Sequence, residues 1–408
     1  MSLRTQSQAP SPTTLATKFR AWRAVQRGRT HLRASTSRDG AAALAEAALN
    51  FASALHILGD ASATRLGIEA MLLLSIVHDR LAERHDGLRH LDASAALSRE
   101  ALSWNIADKR LRARLLGSFA TTLVRRGERT GEMAPLLQAI DIYRSALALL
   151  GRTLHPASRA ILLAGLGTAL VRVAERKIDI QVAHDAVATL EKALRLCSRR
   201  STPAAWASIQ NTLSTAQARL AERNRDEELL LRSANGLRLA LQERRRDTTP
   251  IGWAATMTDL GNVLVTLGDL RGEPSHREEA MRCFRSALEE LPLQTSPRDF
   301  AETQMNIAAL LRRSGDQQSL TEALSALDAA QLGVTRIDCP LDWSMAELVR
   351  AQILLDIGHL QQHGETLKMA SDAVKSALSV LSPEIAAKAH DQALYLDRKI
   401  TKSLETVA

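Results

Sequence analysis

The chain has 408 residues, 45% hydrophobic, 24% charged and 3% aromatic. So few aromatics argue against an aromatic-lined ligand cavity, and three widely separated cysteines (Cys197, Cys283, Cys339) argue against a disulfide framework and for a reducing compartment. The net charge of +8 resides at the start: residues 1–38 hold Arg4, Lys18, Arg20, Arg23, Arg27, Arg29, Arg33 and Arg38 with no acid, leaving 45 basic against 45 acidic residues in a neutral body.

Residues 1–14, rich in Ser, Thr, Gln and Pro, read as a disordered tail. From Leu15 an Arg-rich amphipathic helix follows, with Phe19 and Trp22 on one face. An acid-free start suits a transit peptide or export signal. The reading preferred here is a degenerate N-terminal cap, because the repeat register described next runs through it and puts Ala21 and Gly28 in small-residue slots, although Arg27 stands where Leu is usual.

The register is set by Pro156, Pro203, Pro250 and Pro297, each 47 residues apart, with Pro340 after a further 43. Ala-Leu pairs keep the same beat from Ala54-Leu55 to Ala377-Leu378, and seven residues before each stands another small residue: Ala47, Ser94, Ala139, Ala186, Ser233, Ala280, Ala323 and Ala370. Eight units follow, near 15–58, 64–105, 107–150, 156–198, 203–245, 250–291, 297–334 and 340–381, the seventh shortened between Gly315 and Ala323. After Ser382-Pro383 a single helix to about Ser403 has no partner; Ile385, Ala393, Leu396 and Ile400 should cover the end of the stack, with residues 382–408 forming a capping helix and tail.

Each half-unit reads as a helix of about 25 Å at 1.5 Å per residue. Thr202-Pro203, Thr249-Pro250 and Ser296-Pro297 offer an N-capping hydroxyl before a first-turn proline. Small or apolar residues recur four, seven, eleven, fourteen and eighteen positions after the proline, one face of a 3.6-residue helix. The eleventh position is small (Gly167, Ser214, Gly261, Ala308, Ala351), which admits a close partner helix, and Gly or Ala at the eighteenth (Gly127, Ala174, Ala221, Gly268, Gly315, Gly358) suggests a helix stop.

Leu260-Gly261 with Leu264, then Ala280, Phe284 and Ala287, resembles the tetratricopeptide repeat. The extra length before the Leu-Gly pair and after Gly268 is similar to the long repeats often found beside CHAT-protease or nucleotide-binding domains, as are Pro-Ile-Gly-Trp-Ala at 250–254, Pro-Leu-Asp-Trp-Ser at 340–344 and Arg-Thr-Gly-Glu at 129–132. The resemblance covers roughly residues 60–380. It implies an all-α superhelical solenoid of eight antiparallel helix pairs with a C-terminal capping helix, and no particular activity.

Nothing marks an enzyme or a cofactor site. No Walker loop, dinucleotide fingerprint, Gly-x-Ser-x-Gly elbow or Cys-x-x-Cys occurs, and the helix-spaced pair His359 and His363 lacks further metal ligands nearby in sequence. The longest uncharged apolar run, Ala160 to Val171, is short of the ~20 residues of a membrane helix, so no membrane partner is expected. Trp206, Trp253, Phe300 and Trp343, each three residues after a proline, form a column read as packing against the previous repeat.

The candidate binding feature is a row. Sixteen residues after the proline slot stand Arg125, Arg172, Arg219 and Arg313, with Arg80 in an earlier unit; Thr266 and Asp356 interrupt the series. One turn earlier on the same side are Thr121, Thr168, Thr215 and Asn262. The resemblance implies that this side lines a concave groove for partner peptides. Two readings of the row stand side by side: arginines near helix C-termini favoured by the macrodipole and copied by duplication, or forks for carboxylates and phosphates, expected to lack carboxylate partners of their own. The sequence thus leads to a cytoplasmic, non-enzymatic interaction scaffold for a protein or peptide segment with acidic groups. A regulatory subunit of a separate protease or signalling enzyme, and a basic nucleic-acid binder, are the alternatives.

Overall fold

The computed structural model describes residues 14–35, 40–84, 86–151, 156–177 and 179–407. The expected tail at 1–14 therefore lies outside the described residues except for Thr14, whose hydroxyl caps the first helix. The described residues form seventeen α-helices, one 3₁₀ turn and no strand. The helices pair in order: α1 (Leu15–Ala34) with α2 (Gly40–Leu58), α3 (Arg65–Leu81) with α4 (Gly87–Ser103), α5 (Lys109–Thr130) with α6 (Met133–Leu149), and α7 (Pro156–Lys177) with α8 (Ile180–Leu196). Next come α9 (Pro203–Asn224) with α10 (Glu227–Glu243), α11 (Pro250–Arg271) with α12 (Pro274–Leu288), α13 (Pro297–Arg312) with α14 (Gln317–Gln331), and α15 (Pro340–Gln361) with α16 (Gly364–Leu378). A last helix, α17 (Pro383–Val407), follows alone, with a non-helical Ala386 in its first turns. This is an all-α, tetratricopeptide-like solenoid.

Small residues hold the pairs together. Ala139, Ala186, Ala280, Ala323 and Ala370 on the second helices have no exposed surface, and nor do Ser214 and Ala308 on the first. Gly167 faces Leu190 so closely that an added Cβ would stand 2.5 Å from its Cγ, and Gly261 faces the ring of Phe284 in the same way. Leucines fill the space between layers, among them Leu136, Leu190, Leu230, Leu237 and Leu320, all less than 2% exposed. Two helices, α2 and α7, reach the length and apolarity of a membrane span. Both pack as members of repeat pairs, α2 through Leu44, Ala47, Phe51 and Ala54 and α7 through Leu162, Leu166, Ala169 and Leu170.

Three expectations about the helices need correction. Six-turn helices such as α7, with 22 residues, are about 33 Å long rather than 25 Å. The small residue at the eighteenth position stops the helix only in the shortened seventh unit, where α13 ends at Arg312 and Gly315 takes a positive φ of 72°; α5, α11 and α15 run three residues past Gly127, Gly268 and Gly358 and end at Gly131, Gly272 and Gln362, whose φ values are positive. In the units whose helix runs on, the next helix crosses at this residue, Leu136 over Gly127 and Leu367 over Gly358. The hydroxyls of Thr202 and Thr249 do not cap; they donate backwards to the carbonyls of Ser198 (2.9 Å) and Arg245 (3.2 Å). The reason is conformational, since Thr202, Thr249 and Ser296 share φ near −140° and ψ near +55 to +60°, away from the extended geometry that aims a capping side chain at the first turn.

The stack also departs from the expectation that repeats touch only their neighbours. Its accumulated rotation brings α5 against α15 and α7 against α17, and the C-terminal end of α5 meets the loop before α15 and the start of α17. Arg129, 2% exposed, donates to the Asp338 carboxylate (3.1 Å), to the Cys339 sulfur (2.8 Å) and to the Ala82 carbonyl. The Leu88 amide donates to Asp338 (3.4 Å). Gly131 closes α5 at φ +80° with Ile385 set against its Cα, so that both conformation and space require glycine. Ile385 thereby seals the superhelix, while Ala389, Ala393, Leu396 and Ile400 of α17 cover the end of the stack.

Candidate groove site

The first helices of the pairs line the inside of the closed superhelix. Between α5, α7 and α9 lies a hollow of about 390 Å³, walled by Thr121, Arg125, Glu128, Tyr143, Ile161, Ala164, Gly165, Thr168, Ser208 and Thr212. Ile161, 62% exposed, gives it an apolar wall. Gly165 makes room for Tyr143, whose hydroxyl bonds Thr121 at 2.8 Å. Thr168 donates to the Ala164 carbonyl (3.1 Å) and Thr212 to that of Ser208 (3.1 Å), which leaves hydroxyl lone pairs on the wall as acceptors. Of the predicted site residues, Thr121, Arg125 and Thr168 meet in this hollow, while Thr215, Asn262, Arg172 and Arg219 stand outside it.

The arginine row is not free of carboxylates. Arg125 pairs with Glu83 and donates to the Asp79 carbonyl (2.8 Å). Arg172 meets Glu128 at 2.5 Å and Glu175 at 3.1 Å; Arg219 meets Glu175 at 3.2 Å; Arg313 meets Asp269 at 3.0 Å. Arg80 clamps the end of α1 through the Leu32 carbonyl (2.9 Å) and the Ser35 hydroxyl (2.8 Å). The expectation of carboxylate-free arginines is thereby overturned. Stacking sets the guanidinium of one repeat beside the residue three positions further along in the preceding repeat, and that register is acidic throughout: Glu83, Glu128, Glu175, Glu222 and Asp269. This spacing of 45, 47, 47 and 47 residues was the sequence signal for the pairing.

Charge inside the superhelix is unevenly compensated. Burial works against the Glu128 carboxylate, but Arg172, Arg298 and Arg125 outweigh it and hold its pKa below the usual value. On the opposite wall, burial, then Glu83 and Glu302, push Asp299 up to about 7. Desolvation by the enclosing inner wall, then Asp259 and Asp342, outweigh Arg298 and likewise raise Glu302, although its own side chain is exposed.

Asp79 is 5% exposed and accepts from Thr122 (2.9 Å); burial pushes its pKa to about 6 against the pull of Arg125 and Thr122. A raised carboxylate stabilises the fold fully below its unfolded pKa near 3.8 and loses that contribution as pH climbs through about 6. Asp79→Asn keeps the acceptor oxygen, so the variant should gain stability relative to the parent between pH 4 and pH 7, by at most about 3 kcal/mol at ~1.4 kcal/mol per pH unit. Urea unfolding of both proteins at the two pH values measures this; parallel curves would contradict it.

The tryptophan column is half-buried and covered by cations. Arg199, Arg246 and Arg336 lie 4.8, 5.2 and 5.6 Å over the rings of Trp206, Trp253 and Trp343. These contacts occupy the ring faces that base stacking would need. His359 bonds Ser403 (2.8 Å) and His363 bonds Thr366 (2.9 Å), so the pair points to separate partners. Among the described residues no group of three His, Cys, Asp or Glu side chains is placed to hold a metal ion. Burial pushes the Cys339 thiol up to about 12 and the Cys283 thiol to about 11, which keeps both protonated and unreactive.

No protein-family model matches the chain. No curated protein sequence matches it either. Among solved structures it is similar to a Rap protein complexed with competence and sporulation factor, at 14% identity and a TM-score of 0.53 over 96% of this chain and 99% of that one. It is also similar to the Rap conjugation regulator of plasmid pLS20 in complex with the Phr* peptide, at 13% identity and a TM-score of 0.45, over 94% and 96% of the two chains. A human IFIT1 dimer with PPP-AAAA follows at 12% identity and a TM-score of 0.45, over 92% and 81%. At such identities the likeness is one of fold.

Proposed function

We propose that this protein is a non-enzymatic interaction scaffold that captures a segment of a partner protein inside its superhelix, with the hollow between α5, α7 and α9 as the centre of contact. The observation that carries the reading is the hollow itself: about 390 Å³, with an exposed isoleucine beside unfilled hydroxyl acceptors. A side chain with an apolar body and an N–H or O–H tip satisfies both. The Rap protein of similar fold holds competence and sporulation factor, which supports a ligand-holding role for such a solenoid. The row at Arg172, Arg219 and Arg313 offers a partner only what its carboxylates leave uncovered, so its first role is to tie adjacent repeats. Three unpaired cysteines support a reducing, cytoplasmic setting.

The test begins with peptides enriched from a displayed random library on the full-length chain. Ile161→Glu with Thr212→Trp changes the wall and fills the hollow without touching the layers between repeats. Bound peptides should lose about tenfold or more in affinity, the usual cost of a lost central contact, with the melting temperature little changed. Undiminished binding would remove the hollow from the account.

A further inference from the structure

Helix α1 carries the only large apolar stripe among the described residues that lies beside cations with no acidic partner. Leu15 is 86% exposed, Phe19 57% and Trp22 48%. At 100° per residue the three fall within roughly 60° of one another, a single ridge. Phe19 and Trp22 stack on each other, ring centroids 5.9 Å apart. Lys18 flanks the ridge on one side and Arg20, Arg23 and Arg27 on the other; all four are exposed, and no described carboxylate lies within ion-pair distance of any of them. This is the opposite of the arginine row, where each guanidinium facing the groove is matched from within.

The ridge belongs to the inner wall. Trp22 holds the register position that Ile161 and Ser208 hold in the hollow, five residues after the slot of the repeat proline. Glu69 holds the same position in α3 and is paired with Arg29 of α1, and Arg80, in the slot of Arg125, reaches the end of α1 at Leu32 and Ser35, so the first two repeats are stacked in the common register.

We infer that the inner face of α1 is a docking surface for an acidic amphipathic helix of a partner protein, whose apolar side chains cover Leu15, Phe19 and Trp22 and whose carboxylates meet Lys18, Arg20, Arg23 and Arg27. The inference rests on the groove-capture reading above and names the chemistry of the captured segment. Charge complementarity selects the occupant: four unmatched cations in a stretch without acids attract carboxylates, and the ridge between them needs apolar cover. A second copy of α1 would bring like charge against like. A flat bilayer does not fit a concave wall. Nucleic acid would leave Leu15 uncovered, and the stacked pair has one ring face each already occupied. From Leu15 to Arg27 the surface is about 18 Å long, matching three to four turns of a partner helix.

The experiment uses the full-length protein and a labelled 16-residue synthetic helix with Leu and Phe on one face and Glu on the other, read by fluorescence anisotropy. Its controls are the same peptide with Lys for Glu, a 20-nucleotide single-stranded DNA, and vesicles of phosphatidylserine with phosphatidylcholine. The Glu peptide should bind at least about tenfold tighter than the Lys peptide. Phe19→Ser with Trp22→Ser should weaken it by about tenfold or more, and Arg20→Glu with Arg23→Glu should shift the preference towards the Lys peptide. These side chains are exposed, and unchanged melting curves would confirm that the fold is kept. A Glu peptide that does not bind, or that binds both α1 variants as it binds the parent, overturns the inference; so does tighter, α1-dependent binding of the DNA or the vesicles. Library peptides that need Ile161 and Thr212 but ignore α1 would sink this inference and leave the groove-capture reading intact.

Discussion

Arg129→Ala should open the superhelix. Arg129 is 2% exposed and its guanidinium joins three segments that are remote in sequence: the end of α3 through the Ala82 carbonyl, its own α5, and the loop before α15 through Asp338 and Cys339. Removing one member of a buried ion pair costs on the order of 3–5 kcal/mol, and the lower end applies because Asp338 keeps 23% of its side chain in solvent. The repeats that meet here are each held by their own neighbours, so the loss should appear as a change of shape before it appears as unfolding. Small-angle scattering should report a larger radius of gyration, and Cys339, now sealed at 1% exposure, should react with a thiol reagent faster than in the parent. An identical scattering curve together with an unreactive Cys339 would show that the other contacts, among them Ile385 and Leu341 against Gly131 and the Leu88 amide on Asp338, hold the closure without Arg129.

What the sequence revealed and what it withheld follow from how far each feature reaches along the chain. The small slots at Gly167, Ser214, Gly261 and Ala308 were legible because helix pairing is local and its period is written in every copy. The acidic register from Glu83 to Asp269 is equally plain in the sequence, but its meaning lies across the layer boundary and not along one helix. A row of like charges in one register calls for the opposite charge in the register stacked on it, a rule that needs only the repeat length. Closure was not legible. It depends on a small rotation per repeat summed over five repeats, and Arg129, part of a familiar Arg-Thr-Gly-Glu fragment, has its partner Asp338 more than two hundred residues away. The hollow was half legible: the register located Thr121, Arg125 and Thr168, whereas Ile161 and Tyr143 lie off the arginine and hydroxyl rows.

The second large effect is expected at Gly261. Its Cα lies against the Phe284 ring, which has no exposed surface, so even a methyl group there collides with atoms that have nowhere to go. Overpacking of this kind costs about 1–3 kcal/mol, and Gly261→Leu should reach at least the top of that range because α11 and α12 must separate to admit it. Denaturant unfolding measures the loss. Gly272→Ala is an instructive contrast: nothing lies within 4 Å of an added Cβ, and the cost comes only from the positive φ of +70°, about 1–2 kcal/mol. The contact can be isolated by adding Phe284→Leu. If the clash is the cause, the Gly261→Ala, Phe284→Leu double variant should be more stable than the sum of the two single changes by about 1 kcal/mol or more, since neighbours sharing one space couple. Strict additivity would mean that the glycine is needed for helix flexibility and not for room. The break should also be felt along the stack. Stability in a solenoid is carried from repeat to repeat, so loosening the sixth pair should divide unfolding into an N-terminal and a C-terminal step. The Arg129 closure joins repeats on either side of that break, and combining Gly261→Leu with Arg129→Ala should therefore widen the separation between the two steps.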